Sequence, residues 1–298
     1  MDHIKRSQII YAMSAMNPPA LRVEDGATVV FETYDCFENQ IKAKDKPYKV
    51  LDWNRINPAT GPVFIEGAQP GDILEVKIER IEIADHGVML TGPRLGVMGD
   101  RLTTNAIRLI PIRGGKAFYE EKVQFPVNPM VGVIGTAPAV ESVPCGTPGL
   151  HGGNMDCNII REGTTLYLPV NVPGALLAIG DLHAAMGDGE VSVCGLEVQG
   201  EVTVTVSVLK SCHLPLPLAK TASSVYAIAS AKTLDKAVTN ATRNLVGLLT
   251  ADSTVNEYDA VNLLSLVGHL QICQVVDPLK TVRFELELKY LEQLGISL

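Results

Sequence analysis

Residues 73–81 read Ile-Leu-Glu-Val-Lys-Ile-Glu-Arg-Ile. From Leu74 to Glu79 apolar and charged side chains alternate, the period of a strand with one face in a core and one in water. A helix over the same residues would scatter the charges around its whole circumference. Outward from this stretch the texture repeats. Upstream, Asn57-Pro58-Ala59-Thr60-Gly61-Pro62 predicts a rigid turn, followed by Val63-Phe64-Ile65-Glu66 and the turn Gly67-Ala68-Gln69-Pro70-Gly71-Asp72. Ala27–Thr33 is β-rich and follows Glu24-Asp25-Gly26. Downstream, Val198, Gly200, Val202, Val204, Val206 and Val208 alternate with Glu201, Thr203, Thr205 and Ser207. Thr165–Val170 and Ala175–Gly180 are short apolar runs with strand character, and Val191-Ser192-Val193 is expected to be a further apolar strand.

The last third changes. Ser230–Leu249 has helical spacing. A second helix is expected from near Val255 to Leu270, with Thr254 as N-cap and Glu257 completing a capping box. Pro278 breaks it, and Thr281–Leu288 predicts a closing strand. The fold class is therefore mainly β with an α+β C-terminal portion. Three segments are expected: a β-rich N-terminal domain over 1–150, a central β-rich segment over 151–215 carrying the site, and an α+β portion over 216–298.

The chain has 298 residues, 46% hydrophobic and 19% charged, with a formal net charge of −8. That is a globular composition with enough length for a substantial core. An acidic chain without a basic run is poorly suited to nucleic acid or to anionic lipid. No apolar run would span a bilayer, and the first residues lack a signal-peptide hydrophobic region, so a cytoplasmic protein is expected. The six cysteines include no Cys-x-x-Cys pair and are expected to be reduced thiols.

Residues 179–190, Ile-Gly-Asp-Leu-His-Ala-Ala-Met-Gly-Asp-Gly-Glu, crowd ionisable groups among small residues. Asp181 and His183 are two apart and would share one face of a strand. Asp188, between two glycines, suits a sharp turn. A polar turn between strands and a binding site are both open on these residues alone.

Five segments together resemble the acetamidase/formamidase family. They are Glu32-Thr33-Tyr34-Asp35-Cys36 with Gln40-Ile41; Asn57–Val63 with Glu66-Gly67 and Pro70-Gly71-Asp72; His151-Gly152-Gly153-Asn154-Met155-Asp156; Gly180–His183 through Gly187–Glu190; and Leu266–Leu270 with Gln274-Val275-Val276-Asp277. They run in order from about Phe31 to Asp277. The resemblance implies a β-sandwich or barrel-like fold with a smaller α/β element. It also implies a cytoplasmic, homo-oligomeric hydrolase that releases ammonia from small linear amides such as formamide or acetamide. The chain departs from the expected pattern at His269, where an acidic residue would be anticipated.

Amide hydrolysis needs an activated nucleophile, a stabilised oxyanion and a protonated leaving nitrogen. A divalent metal meets the first two needs. The expected ligands are Asp35, Asp156, Asp181 and His183, with zinc ahead of manganese or calcium; Asp181 is alternatively a partner that orients the His183 ring. Glu190 is the expected general acid/base. Asn154 is expected to donate to the substrate carbonyl, aided by the backbone N–H groups of Gly152 and Gly153. A cysteine nucleophile at Cys157 or Cys145 is the competing mechanism, disfavoured because nearby acids would raise a thiol pKa. His151 is a lesser candidate. A non-catalytic small-ligand-binding protein on the same fold is the competing function.

Overall fold

The computed structural model describes residues 1–42, 51–120, 122–251 and 254–297. Ile73–Ile83 lies inside a sheet of nine strands among the described residues, between Gly200–Leu209 and Thr165–Pro169. Its alternation places Leu74, Val76 and Ile78 in the interior and leaves Lys77 exposed. The period slips at Glu79. Val204 pairs with Ile78 and Thr203 with Arg80, so Glu79 is the extra residue of a bulge, and the bulge returns Ile81 to the inner face. Thr28–Thr33 pairs with the far edge of Gly200–Leu209. Beyond Thr165–Pro169 the sheet continues through Leu218–Lys220, Ser224–Ala231 and Lys280–Glu287 to His269–Gln274 at its edge. Strands from all three sequence segments thus share this sheet.

A second sheet, of eleven strands among the described residues, is centred on Leu177–His183. Met130–Gly135 pairs with one side of that strand; Glu197–Val198 and Ala59–Ile65 share the other. The two sheets pack face to face through Phe31, Val76, Ile78, Val131, Ile179 and Leu182 among others, all fully buried. Burying each such side chain contributes about 1.5–3 kcal/mol. The result is a two-sheet sandwich, within the sandwich or barrel-like fold that the resemblance implies.

Helices α1 (Leu234–Thr250) and α2 (Glu257–Val267) belong to the C-terminal portion, and a separate cluster joins Ala237, Ala241 and Leu245 to Ala227, Val282 and Leu286. Thr233 caps α1 by accepting from the Lys236 N–H. Four local expectations need correction. The cap of α2 is Asn256, not Thr254: Asn256 Oδ1 accepts the Asp259 N–H at 3.0 Å, and asparagine caps at least as well as threonine. The helix ends at Val267, because residues 269–274 pair with Lys280–Glu287 as a strand. The expected turn 57–62 is replaced from Ala59 by a strand, since Ile10 and Gly180 both pair with Ala59. Residues 191–193 are a turn rather than a strand. No helix among the described residues is long and apolar enough to cross a membrane.

Candidate active site and metal centre

Leu177–His183 is buried along its whole length and delivers two polar side chains to one place. His183 stands directly across from Glu197 on the neighbouring strand, with Nε2 3.0 Å from Glu197 Oε1. The same nitrogen lies 3.6 Å from Asp181 Oδ2, 3.7 Å from Asp156 Oδ1 and 3.9 Å from Glu190 Oε1. One imidazole is therefore ringed by four carboxylates, and all five residues are buried. Asp156 follows the strand Gly152–Asn154, which pairs with Met130–Gly135.

Two glycines make the room. A Cβ on Gly132 would fall 2.5 Å from Asp181 Oδ2 and 2.6 Å from Asp156 Oδ1. A Cβ on Gly195 would fall 2.6 Å from His183 Nδ1. Backbone strain gathers here too. Asp156, Asp181 and Glu190 have φ of 43°, 56° and 45°, in the left-handed region that most side chains avoid. Val193 is the sharper outlier, a β-branched residue at φ 95° in the wall of the adjacent cavity.

Glu190 is held through its turn. Asp188 accepts from Arg283 Nη1 and Nη2, each at 2.8 Å, and from Asn158 Nδ2 at 2.8 Å. The Gly189 N–H donates to the Cys273 carbonyl at 2.9 Å. Asp188 is thus a strut for the turn, outside the cluster, as its flanking glycines suggest.

Burial, reinforced by neighbouring carboxylates, pushes the pKa of Asp156, Glu190 and Glu197 well above the ordinary carboxylate range. Burial alone would lower His183, but the charges of Glu197 and Asp181 outweigh it and hold the ring well above its usual value. Four ionised carboxylates around one imidazolium would leave a large negative charge out of water, which a protein accommodates only by proton uptake or by a cation. Several of the oxygens also lack hydrogen-bond partners: both of Asp156, Oδ1 of Asp181, Oε2 of Glu190 and Oε2 of Glu197. Asp156, His183 and Glu190 each offer a donor atom within 4.8 Å of the others, and Cys36, Asp181 and Glu197 do the same. Carboxylate oxygens with one imidazole fit a zinc or manganese ion.

Not every expected residue joins this group. Asp35 belongs to none of the buried donor sets; its Oδ1 accepts the N–H of Phe37 at 3.0 Å and of Asn39 at 2.6 Å, capping the turn after Thr28–Thr33. Burial outweighs those bonds and raises its pKa to about 6. Asn154 Nδ2 donates to Asp277 Oδ2 at 3.0 Å, and its acceptor Oδ1 is buried without a partner. The Gly152 N–H is committed to the Gly149 carbonyl at 3.2 Å and is not available to an oxyanion. His151 is buried without a partner for Nε2, and burial lowers its pKa to about 4. His269 is exposed at the start of the edge strand, outside the cavity lining.

Neither candidate thiol, Cys145 or Cys157, lines the cavity. Cys145 is buried and its pKa is pushed up to about 12. Burial would raise Cys157 too, but Cys273 and Arg283 outweigh it and lower its pKa, against the expectation of acidic neighbours. Cys157 is nevertheless fully enclosed and lines no part of the cavity.

Glu197 and Asp277 were absent from the expected site. Glu197 is a lone acid in Cys194-Gly195-Leu196-Glu197-Val198, and a charge inside an apolar strand is a signal for a partnered, buried group. Asp277 has no comparable signal beyond its place in the fifth resembling segment.

Beside the cluster lies a cavity of about 480 Å³, whose lining includes Asn154, Asp181, Glu190, Glu197 and Asp277. Comparisons with known proteins agree with this architecture. The model of the Acetamidase/Formamidase family matches residues 16–145 and 142–277. The structure superposes on an acetamidase from Bacillus halodurans with a TM-score of 0.97 and 46% identity, covering 99% of this chain and 100% of that one. A predicted acetamidase/formamidase from the thermophile Thermoanaerobacter tengcongensis gives 0.97 and 48%, covering 99% and 98%. The formamidase of Methylophilus methylotrophus is 25% identical over 256 residues, 65% of this chain and 62% of that protein. The chain thus spans about three fifths of the length of the curated relatives it matches.

Proposed function

The chain belongs to the acetamidase/formamidase family, and from that premise we propose that it hydrolyses the carbon–nitrogen bond of small linear amides, releasing ammonia and the carboxylic acid. The observation that carries the proposal is the ring of four buried carboxylates around His183 Nε2. Asp156, Asp181, His183 and Glu197 would hold a divalent cation, zinc in the first instance. Such a cation lowers the pKa of water and polarises a carbonyl.

The chain's own groups supply the rest. Glu190, with its pKa raised by burial, is the proton carrier: it takes a proton from the attacking water and returns it to the departing nitrogen. Its unpartnered Oε2 is the atom for that exchange. Asn154 Oδ1, held by the bond from Nδ2 to Asp277, accepts an N–H of the substrate amide. This orients the amide nitrogen. A cytoplasmic location and homo-oligomeric assembly are part of the same proposal, tested by fractionation and light scattering.

The test uses His183→Ala and Asp156→Ala, with formamide and acetamide as substrates. Both variants are expected to keep the wild-type circular dichroism, lose bound metal and lose ammonia release by at least about a hundredfold. Full activity in either folded variant would overturn the metal-site reading. No ammonia from any short amide with the wild-type protein would favour a binding function.

A further inference from the structure

The cavity beside the carboxylates is larger than formamide or acetamide requires. Its volume of about 480 Å³ has room for well over ten waters at ~30 Å³ each. Acetamide displaces roughly two or three waters by the same measure. Much of the remaining wall is apolar: Phe37, Trp53, Ile56, Leu90 and Val193 all line it. Phe37 and Leu90 are buried and belong to a cluster with Ile41, Val88 and Ile107, so the wall is backed by its own small core. Trp53 is 39% exposed and carries the apolar surface out to solvent. Water against such a wall is displaced favourably by hydrocarbon. Among the described residues lining the cavity there is no Lys or Arg, while Asp181, Glu190, Glu197 and Asp277 are present. Nothing in that lining would pair with a negatively charged acyl chain.

We infer that the preferred substrates are uncharged primary amides with an apolar acyl group of branched-alkyl or single-ring size, an inference that rests on the proposed amide hydrolysis. The acyl group seats against Phe37, Ile56 and Leu90 while the amide meets Asn154 and Glu190. Each methylene buried on that wall improves kcat/KM about fourfold.

The experiment measures ammonia release from formamide, acetamide, isobutyramide, hexanamide, phenylacetamide and 4-carboxyphenylacetamide with the metal-loaded full chain. Phenylacetamide is expected to exceed acetamide in kcat/KM by about tenfold or more, and the added carboxylate to abolish that gain. Ile56→Ala and Trp53→Ala are expected to reduce the phenylacetamide-to-acetamide ratio several-fold. That ratio does not depend on the fraction of enzyme folded, so a destabilised variant remains informative. A flat or falling series with acetamide still turned over overturns the inference and leaves the hydrolase standing. No ammonia from any member overturns the hydrolase and the inference together.

Discussion

Gly132 sets the distance between two acids. Any side chain there would strike Asp181 Oδ2 and Asp156 Oδ1 at once. Gly132→Ala is expected to fold but to bind metal weakly, with kcat down by about a hundredfold for a displacement near 1 Å. Metal content of the purified variant, measured beside its ammonia release, checks this. His151 gives a separate prediction, in stability. Its pKa is about 4 folded and near 6.5 unfolded, so between those values the unfolded chain binds more protons. Its contribution therefore makes stability rise with pH from about 4 to 6.5, and below pH 4 it costs at most about 3 kcal/mol. Asp35 works in the opposite sense, because a carboxyl raised from 3.8 to about 6 loses stability as pH rises through that window. Urea midpoints at pH 4.5 and 7 should therefore draw closer in His151→Asn if wild type is the more stable at pH 7, and an unchanged difference would refute the assignment. At this scale the sequence was partly legible. Asp181 and His183 meet as their spacing implied. Glu197 was hidden because its relation to His183 is a cross-strand register, and register is set by pairing that no local pattern records.

The turn that carries Glu190 is held by the Asp188–Arg283 pair. Arg283 is buried, and Asp188→Ala would leave its guanidinium with fewer acceptors. The expected cost is about 1–2 kcal/mol, discounted because the Asp188 side chain is 43% exposed. In the same variant kcat should fall more than KM changes, since Glu190 loses its support while the cavity wall keeps its shape. The cap of α2 offers a contrasting case: Asn256→Ala should lower stability by about 1 kcal/mol, read by thermal unfolding, with amide kinetics unaltered. Strands were readable from alternation wherever one face is solvated, as over Ile73–Ile83 and Gly200–Leu209. Alternation says nothing about Leu177–His183, where both faces are buried. Ala59 shows the converse, since turn-forming neighbours did not prevent it from pairing on both sides.

Across the whole molecule, the clustered buried acids are Asp156, Asp181, Glu190 and Glu197, with half-buried Asp277 beside them, on segments that meet only when the second sheet and the edge of the first are in place. Their mutual repulsion is a load on the metal-free fold. Chelation at neutral pH is expected to lower the melting temperature by several degrees, as loss of a ligand once present at a hundredfold its Kd removes about 2.7 kcal/mol. Restoring zinc should recover it, and a melting curve indifferent to chelator would count against a resident cation.

Val193 carries a consequence for how this chain would evolve. Its φ of 95° suits glycine, and a β-branched residue holds it at a cost of about 1–3 kcal/mol. Val193→Gly would relax that backbone, offset in part by the flexibility glycine brings to the unfolded chain. Under selection for endurance alone, the substitution should be enriched. Under selection for turnover it should be purged, because the same valine forms part of the cavity wall. A library randomised at this one codon, split between heat challenge and growth on an amide as nitrogen source, would sort in opposite directions.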